Sequence, residues 1–101
     1  MTKRAIETVT FELEEGVSKE QFLEAVAAST AFVRARPGFV ARRLSLGAEG
    51  TWIEHIEWET LEDAQAAAAA SRQEESVRPF LACIKGPSVT LRHSALEVSV
   101  G

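Results

Sequence analysis

The sequence contains no tyrosine and no asparagine, and only one cysteine, two histidines and three prolines among its 101 residues. Each scarcity removes an option. Without tyrosine, no phenol serves as general acid or ligand. The lone Cys83 cannot build a disulfide framework and points to a reducing compartment. No apolar run approaches the ~18 residues of a membrane span. The leading segment MTKRAIETVTFELEEG also has no apolar signal-peptide core. A soluble, cytoplasmic protein with no membrane partner is therefore expected. The net charge is −4 and no basic run or patch stands out, so nucleic acid is not an expected partner. Phosphate loops, dinucleotide fingerprints, nucleophile elbows and zinc-ligand spacings are also missing. Neither a cofactor nor a metal is expected.

What is present reads as one domain over residues 1–101. A chain this short buries only about two-thirds of its unfolded surface. An apolar content of 46% exceeds what such a core needs and suggests a second buried surface, an oligomer interface. Ala5 to Leu13 alternates Val9, Phe11 and Leu13 with polar residues, as a strand does. Ser18 and Gln21 form a capping box that starts a helix carrying Phe22, Val26 and Val33, with Arg34 and Arg36 in its last turn. Pro37-Gly38 stops it. Phe39 to Leu46 and Thr51 to Glu59 form a hairpin around Gly47-Ala48-Glu49-Gly50. Thr60 caps an alanine-rich helix from Leu61 to Ser71. After a polar break, Val77, Phe80, Leu81 and Ile84 mark a short amphipathic helix, and Ser88 to Val100 is a last strand with a kink expected near Ser94-Ala95.

A bulge-free hairpin turn pairs Leu46 with Thr51. Arg43 then faces Glu54, Arg42 faces His55, Phe39 faces Trp58, Ala41 faces Ile56 and Leu44 faces Ile53; a G1 bulge shifts this register by one. The order β-α-β-β-α-β implies an α+β, ferredoxin-like fold: a four-stranded antiparallel sheet, strand order fourth, first, third, second, with helices on one face. Large apolar residues on both hairpin faces (Phe39, Ile56 and Trp58; Val40, Leu44 and Ile53) suggest that two sheets pack into a homodimeric α/β barrel.

The segment ARPGFVARRLSLGAEGTWIEHIEWETLEDAQAA resembles the centre of the antibiotic biosynthesis monooxygenase-like, dimeric α/β-barrel proteins. It shows Pro-Gly-Phe after the first helix, a strand ending in Arg-Arg-Leu, a glycine turn, and a Trp-bearing strand entering an Ala-rich helix. The resemblance implies a homodimer and, as an activity, cofactor-independent oxygenation of an aromatic or enolisable small molecule. Heme-degrading members use an Asn, a Trp and a His near the second helix. This chain has no Asn, and Leu61 to Ile84 holds no His, so that branch is disfavoured. Quinone-forming members use Trp, Tyr, Asn and Arg; only Trp52, Trp58, Arg42 and Arg43 remain as generic counterparts.

His55 is the first candidate for a catalytic base, because an imidazole titrates near neutrality. Its structural alternative is pairing with Arg42 and Glu57 at a dimer seam. His93 is the second candidate, with an ordinary strand position as its alternative. A His55–His93 metal site is disfavoured, since the first strand separates theirs by about 9–10 Å. Trp52 and Trp58 either wall an aromatic pocket or fill the core, and Trp52 is expected to be the more exposed. The expected ligand-binding set is Trp52, Trp58, Phe39, Arg42, Arg43, Phe22 and Phe80, in a pocket between sheet and helices that also draws on Val26, Ile56 and Ile84. Arg42 and Arg92 either bind an anionic substrate or form rim salt bridges. The competing reading is a non-catalytic module that binds a small molecule or a partner on the same barrel.

Overall fold

The computed structural model describes residues 3–101. In chain order the elements are β1 (Ala5–Phe11), α1 (Lys19–Arg34), β2 (Phe39–Leu46), β3 (Trp52–Trp58), α2 (Leu61–Ser71), α3 (Arg78–Ala82) and β4 (Thr90–Ala95). The strands form one antiparallel sheet in the order β2-β3-β1-β4. This is the expected ferredoxin-like arrangement. Both helix starts carry the expected caps. Ser18 accepts from the Gln21 amide while the Gln21 side chain accepts from the Ser18 amide, and Thr60 accepts from the Asp63 amide. Three expected strands are shorter, β3 by one residue at each end. β1 stops at Phe11, beyond which Leu13 makes an isolated bridge with Ile84. β4 stops at Ala95, where a kink was expected.

The hairpin register differs from the bulge-free one. The Gly47 amide donates to the Thr51 carbonyl at 2.8 Å, the Gly50 amide donates to the Gly47 carbonyl, and Gly50 takes φ +90°. That is the three-residue turn with a G1 bulge. It shifts the pairing by one, so Leu46 lies opposite Trp52, Leu44 opposite Glu54, Arg43 opposite His55 and Arg42 opposite Ile56. A second irregularity between Phe39 and Ala41 restores Phe39 to Trp58. The extra residue there moves Arg42 and Leu44 to the helix-facing side, against the expected placement of Leu44 outside.

That side carries Ala5, Glu7, Val9 and Phe11 from β1 and Trp52, Glu54, Ile56 and Trp58 from β3, all buried. They feed two apolar clusters. One gathers Phe11, Phe22, Trp52 and Phe80, with Phe22 meeting Trp52 at a 4.8 Å ring separation. The other gathers Ile56 and Trp58 beneath Ala64 and Ala67 of α2. Aromatic contacts of this kind add roughly 0.5–1.5 kcal/mol each beyond area burial.

Gly38 joins α1 to β2 at φ +81°, and a Cβ there would land on the Asp63 carboxylate in the first turn of α2. Gly50 has a similar φ, but a Cβ on it meets open space. Gly50→Ala should therefore cost only the left-handed backbone penalty, about 1–2 kcal/mol. Gly38→Ala should cost clearly more, because α2 must also shift. Urea melts of the two variants check this ordering; equal costs would show that the Gly38–Asp63 approach does not matter.

Candidate functional site

Between the two apolar clusters the sheet carries polar residues instead of hydrocarbon. Glu7 lies on β1 and Glu54 on β3, both on the helix-facing side and both buried. Above them the helices contribute small side chains, Ser29 from α1 and Ala67 and Ala68 from α2. Small residues over a polar floor leave a cavity of about 220 Å³. Its apolar walls include Val9, Phe32, Ile56, Trp58, Val77 and Phe80. Exposed Arg72, Leu81, Val89 and Leu91 mark its mouth.

Two groups hold the floor. Arg42 donates from Nε to Glu54 at 2.7 Å and from a terminal nitrogen to Ser29 Oγ at 2.9 Å, with its guanidinium carbon 5.0 Å from the Phe80 ring centre. Both side chains of this pair are only 7% exposed, so each charge depends on the other. Beside it, Glu7 Oε1 lies 3.5 Å from His93 Nε2. Burial pushes the Glu7 carboxyl above the usual carboxylate range and the Glu54 charge adds to this; the neighbouring His93 and the Trp58 indole oppose it. The Trp58 Nε1 and His93 Nε2 atoms are buried, and neither forms a hydrogen bond of good geometry. A carboxyl of raised pKa beside two polar groups with unused hydrogen-bonding capacity is an arrangement suited to acid–base chemistry.

Among the residues singled out from sequence, Trp58, Arg42, Phe80 and Ile56 line this cavity. Phe22, Val26, Trp52 and Ile84 lie in the first apolar cluster and Phe39 in the second, behind its walls. Trp52, 5% exposed against 2% for Trp58, is the more exposed of the two tryptophans as expected, but both are core and only Trp58 lines the cavity. His55 pairs with Thr8 and Arg43 on the opposite sheet face, away from the cavity. Arg43 and Arg92 share that face. The partner of Glu54 is Arg42, not Arg43. His93 is on the helix-facing side but lines a second, smaller cleft with Ala5, Leu61 and Ala95, and reaches the main cavity only through Glu7. Sequence reasoning passed over Glu7. The signal was its parity: it stands two and four residues before Val9 and Phe11, on the face that they bury.

No family model matches the sequence, and no curated protein matches it. Solved structures do. A provisionally named antibiotic biosynthesis monooxygenase from Bordetella bronchiseptica superposes with a TM-score of 0.80 at 14% identity, over 96% of this chain and all of that one. The chain has the antibiotic biosynthesis monooxygenase-like fold. SnoaB, a cofactor-independent oxygenase from Streptomyces nogalater, superposes at 0.68 with 16% identity over 99% and 97% of the two chains. A heme-degrading protein from Mycobacterium tuberculosis gives 0.66 with 20% identity over 100% and 99%. One fold thus carries different chemistries, and the site must discriminate among them.

Removing Arg42 strands a buried carboxylate. Arg42→Ala is expected to cost about 3–5 kcal/mol. The double variant Arg42→Met/Glu54→Leu should recover most of that loss, since no charge is then left unpaired. Chemical denaturation of the wild type, both single variants and the double variant measures the coupling; additive costs would mean that the pair is not interdependent.

Proposed function

We propose that the protein is a small cofactor-independent oxygenase, or a closely related enzyme, that deprotonates an aromatic or enolisable compound in the cavity, with Glu7 as the base. The observation that carries this reading is the buried Glu7 carboxyl, raised in pKa and set in an apolar cavity beside Trp58 Nε1. The likeness in fold to a cofactor-independent oxygenase supports it.

The chemistry needs no metal. An activated CH₂ or phenol gives its proton to Glu7, and the resulting anion is electron-rich enough to reduce dioxygen. For an anthrone-type CH₂, a C–O bond forms to give a peroxide anion, which takes the proton back from Glu7 and becomes a hydroperoxide. Glu7, ionised again, removes the second C–H proton as the O–O bond breaks, leaving a carbonyl. It then passes that proton to the departing hydroxide, which leaves as water. Trp58 Nε1 donates to the substrate oxygen on which negative charge develops. His93 is a positioning residue, holding Glu7 in place and favouring its ionised form.

The assembly suggested by the resemblance, a homodimer closed across the outer sheet face, belongs to the same proposal. Ile53, 39% exposed on that face, supports it, although the face also carries Thr8, Thr10, His55, Arg43 and Arg92. Elution at twice the mass of 11.0 kDa on gel filtration is expected, and elution at the single-chain mass would sink the dimer.

The first experiment is oxygen uptake with a panel of anthrones and hydroquinones. Glu7→Gln should lower turnover by about 10²–10⁴-fold, the usual worth of a positioned base. His55→Ala should leave it near wild type. The wild-type rate should rise with pH through the raised Glu7 pKa, because the base works ionised. Full activity of Glu7→Gln would remove Glu7 from the mechanism.

Stability should run the other way. The folded state holds the Glu7 proton more tightly than the unfolded state, whose pKa is near the ordinary 4.5. The group's stabilising contribution is complete below that value and is lost as pH rises through the raised folded value. Thermal melts should find Glu7→Gln more stable than the wild type at neutral pH, with the gap closing in acid. A less stable variant at neutral pH would show that burial does not govern this carboxyl.

A further inference from the structure

The cavity holds more positive charge than its own acids satisfy. Arg42 is committed to Glu54 and Ser29. Arg36 and Arg72 also line the cavity, and among the described residues no carboxylate forms an ion pair with either. Arg36 follows the end of α1, where its guanidinium lies 5.6 Å from the Phe32 ring centre. Its Nε is buried and makes no hydrogen bond. Arg72 caps the C-terminal end of α2 and is exposed at the mouth.

A buried guanidinium N–H without a partner is costly, so a protein retains one where something else supplies the acceptor. Two guanidinium groups on one cavity, one pinned on an aromatic ring and one free to swing, suit a planar anion. Resting on the cavity reading above, we propose that Arg36 and Arg72 form a carboxylate clamp at the entrance, and that the substrates are small aromatic acids. The ring system lies over Ile56 and Trp58 toward Glu7, and the carboxylate faces the arginines. At about 220 Å³ the cavity is below the roughly 300–1,000 Å³ of drug-sized sites, so a compact fused-ring acid suits it.

The test is calorimetric binding to the full chain of a matched pair, 5-hydroxy-1-naphthoate and 1-naphthol, which differ only in the carboxylate. The acid is expected to bind at least tenfold more tightly, and added salt should weaken the acid alone. Arg36→Gln and Arg72→Gln should each reduce that preference by about tenfold while leaving 1-naphthol binding unchanged. Arg72 is exposed, so its variant folds even if the Arg36 variant does not. If 1-naphthol binds and the acid gains nothing, or if both variants keep the preference, the clamp is wrong and the cavity reading stands. If neither compound binds the wild type, both fall. If the acid binds with the expected preference but no oxygen is consumed by any substrate, the clamp stands and the oxygenase reading falls.

Discussion

The pairing of Arg42 with Glu54 is the constraint on which the rest of the site depends. A glutamate in the middle of a buried strand face needs a cation, and that cation must be held in turn. The β2 register brings Arg42 to the helix-facing side, Ser29 takes one of its nitrogens, and Phe80 packs against its guanidinium. These contacts put a polar seam across the core and divide the hydrocarbon into two clusters. The cavity lies over that seam. Filling it with larger residues from α2 would press apolar atoms onto Glu7 and Glu54. Alanine and serine leave the carboxyls room for a ligand.

The elements were largely legible in the sequence because local chemistry decides them. Ser18-x-x-Gln21, Thr60 and the paired glycines of the hairpin turn act within a few residues, and the structure starts both helices and turns the hairpin where they lie. Strand order followed from connectivity alone. Register was less accessible. It turned on whether Gly50 adopts a left-handed bulge and whether a second irregularity near Val40 compensates, and together these decided which arginine meets Glu54. Histidine was the natural candidate for a base because its pKa needs no tuning. Parity nevertheless puts His55 on the face opposite Trp52 and Trp58. Glu7 was overlooked because a glutamate in a strand reads as solvent-facing; only its tertiary surroundings bury it and raise its pKa.

In the proposed mechanism, the choice of a carboxyl over an imidazole has physical consequences. An ordinary glutamate is too weak a base for a phenol or an activated CH₂. Desolvation strengthens it by penalising the ionised form, and a second carboxylate nearby adds to the effect. Arg42 limits that addition by neutralising much of the Glu54 charge. His93 and Trp58 act the other way and favour the ionised form of Glu7. Its reactivity is thus set by a balance among groups on β1, β3 and β4, which explains why no short motif reveals it.

An anionic substrate would at first sight disturb this balance, since a second negative charge in a small cavity opposes ionisation of Glu7. In the proposed clamp the two arginines remove the difficulty. They would compensate the substrate's carboxylate at the mouth, so its field at the floor would be small when the proton is transferred. Substrate rings filling the cavity also displace water from Glu7, which strengthens it further as a base while Trp58 Nε1 remains to meet the developing charge. Binding at the entrance and proton transfer at the floor are then electrostatically separate tasks. The seam held by Arg42 and Glu54 keeps them so, because Arg42 is already occupied and does not compete for the substrate's anion.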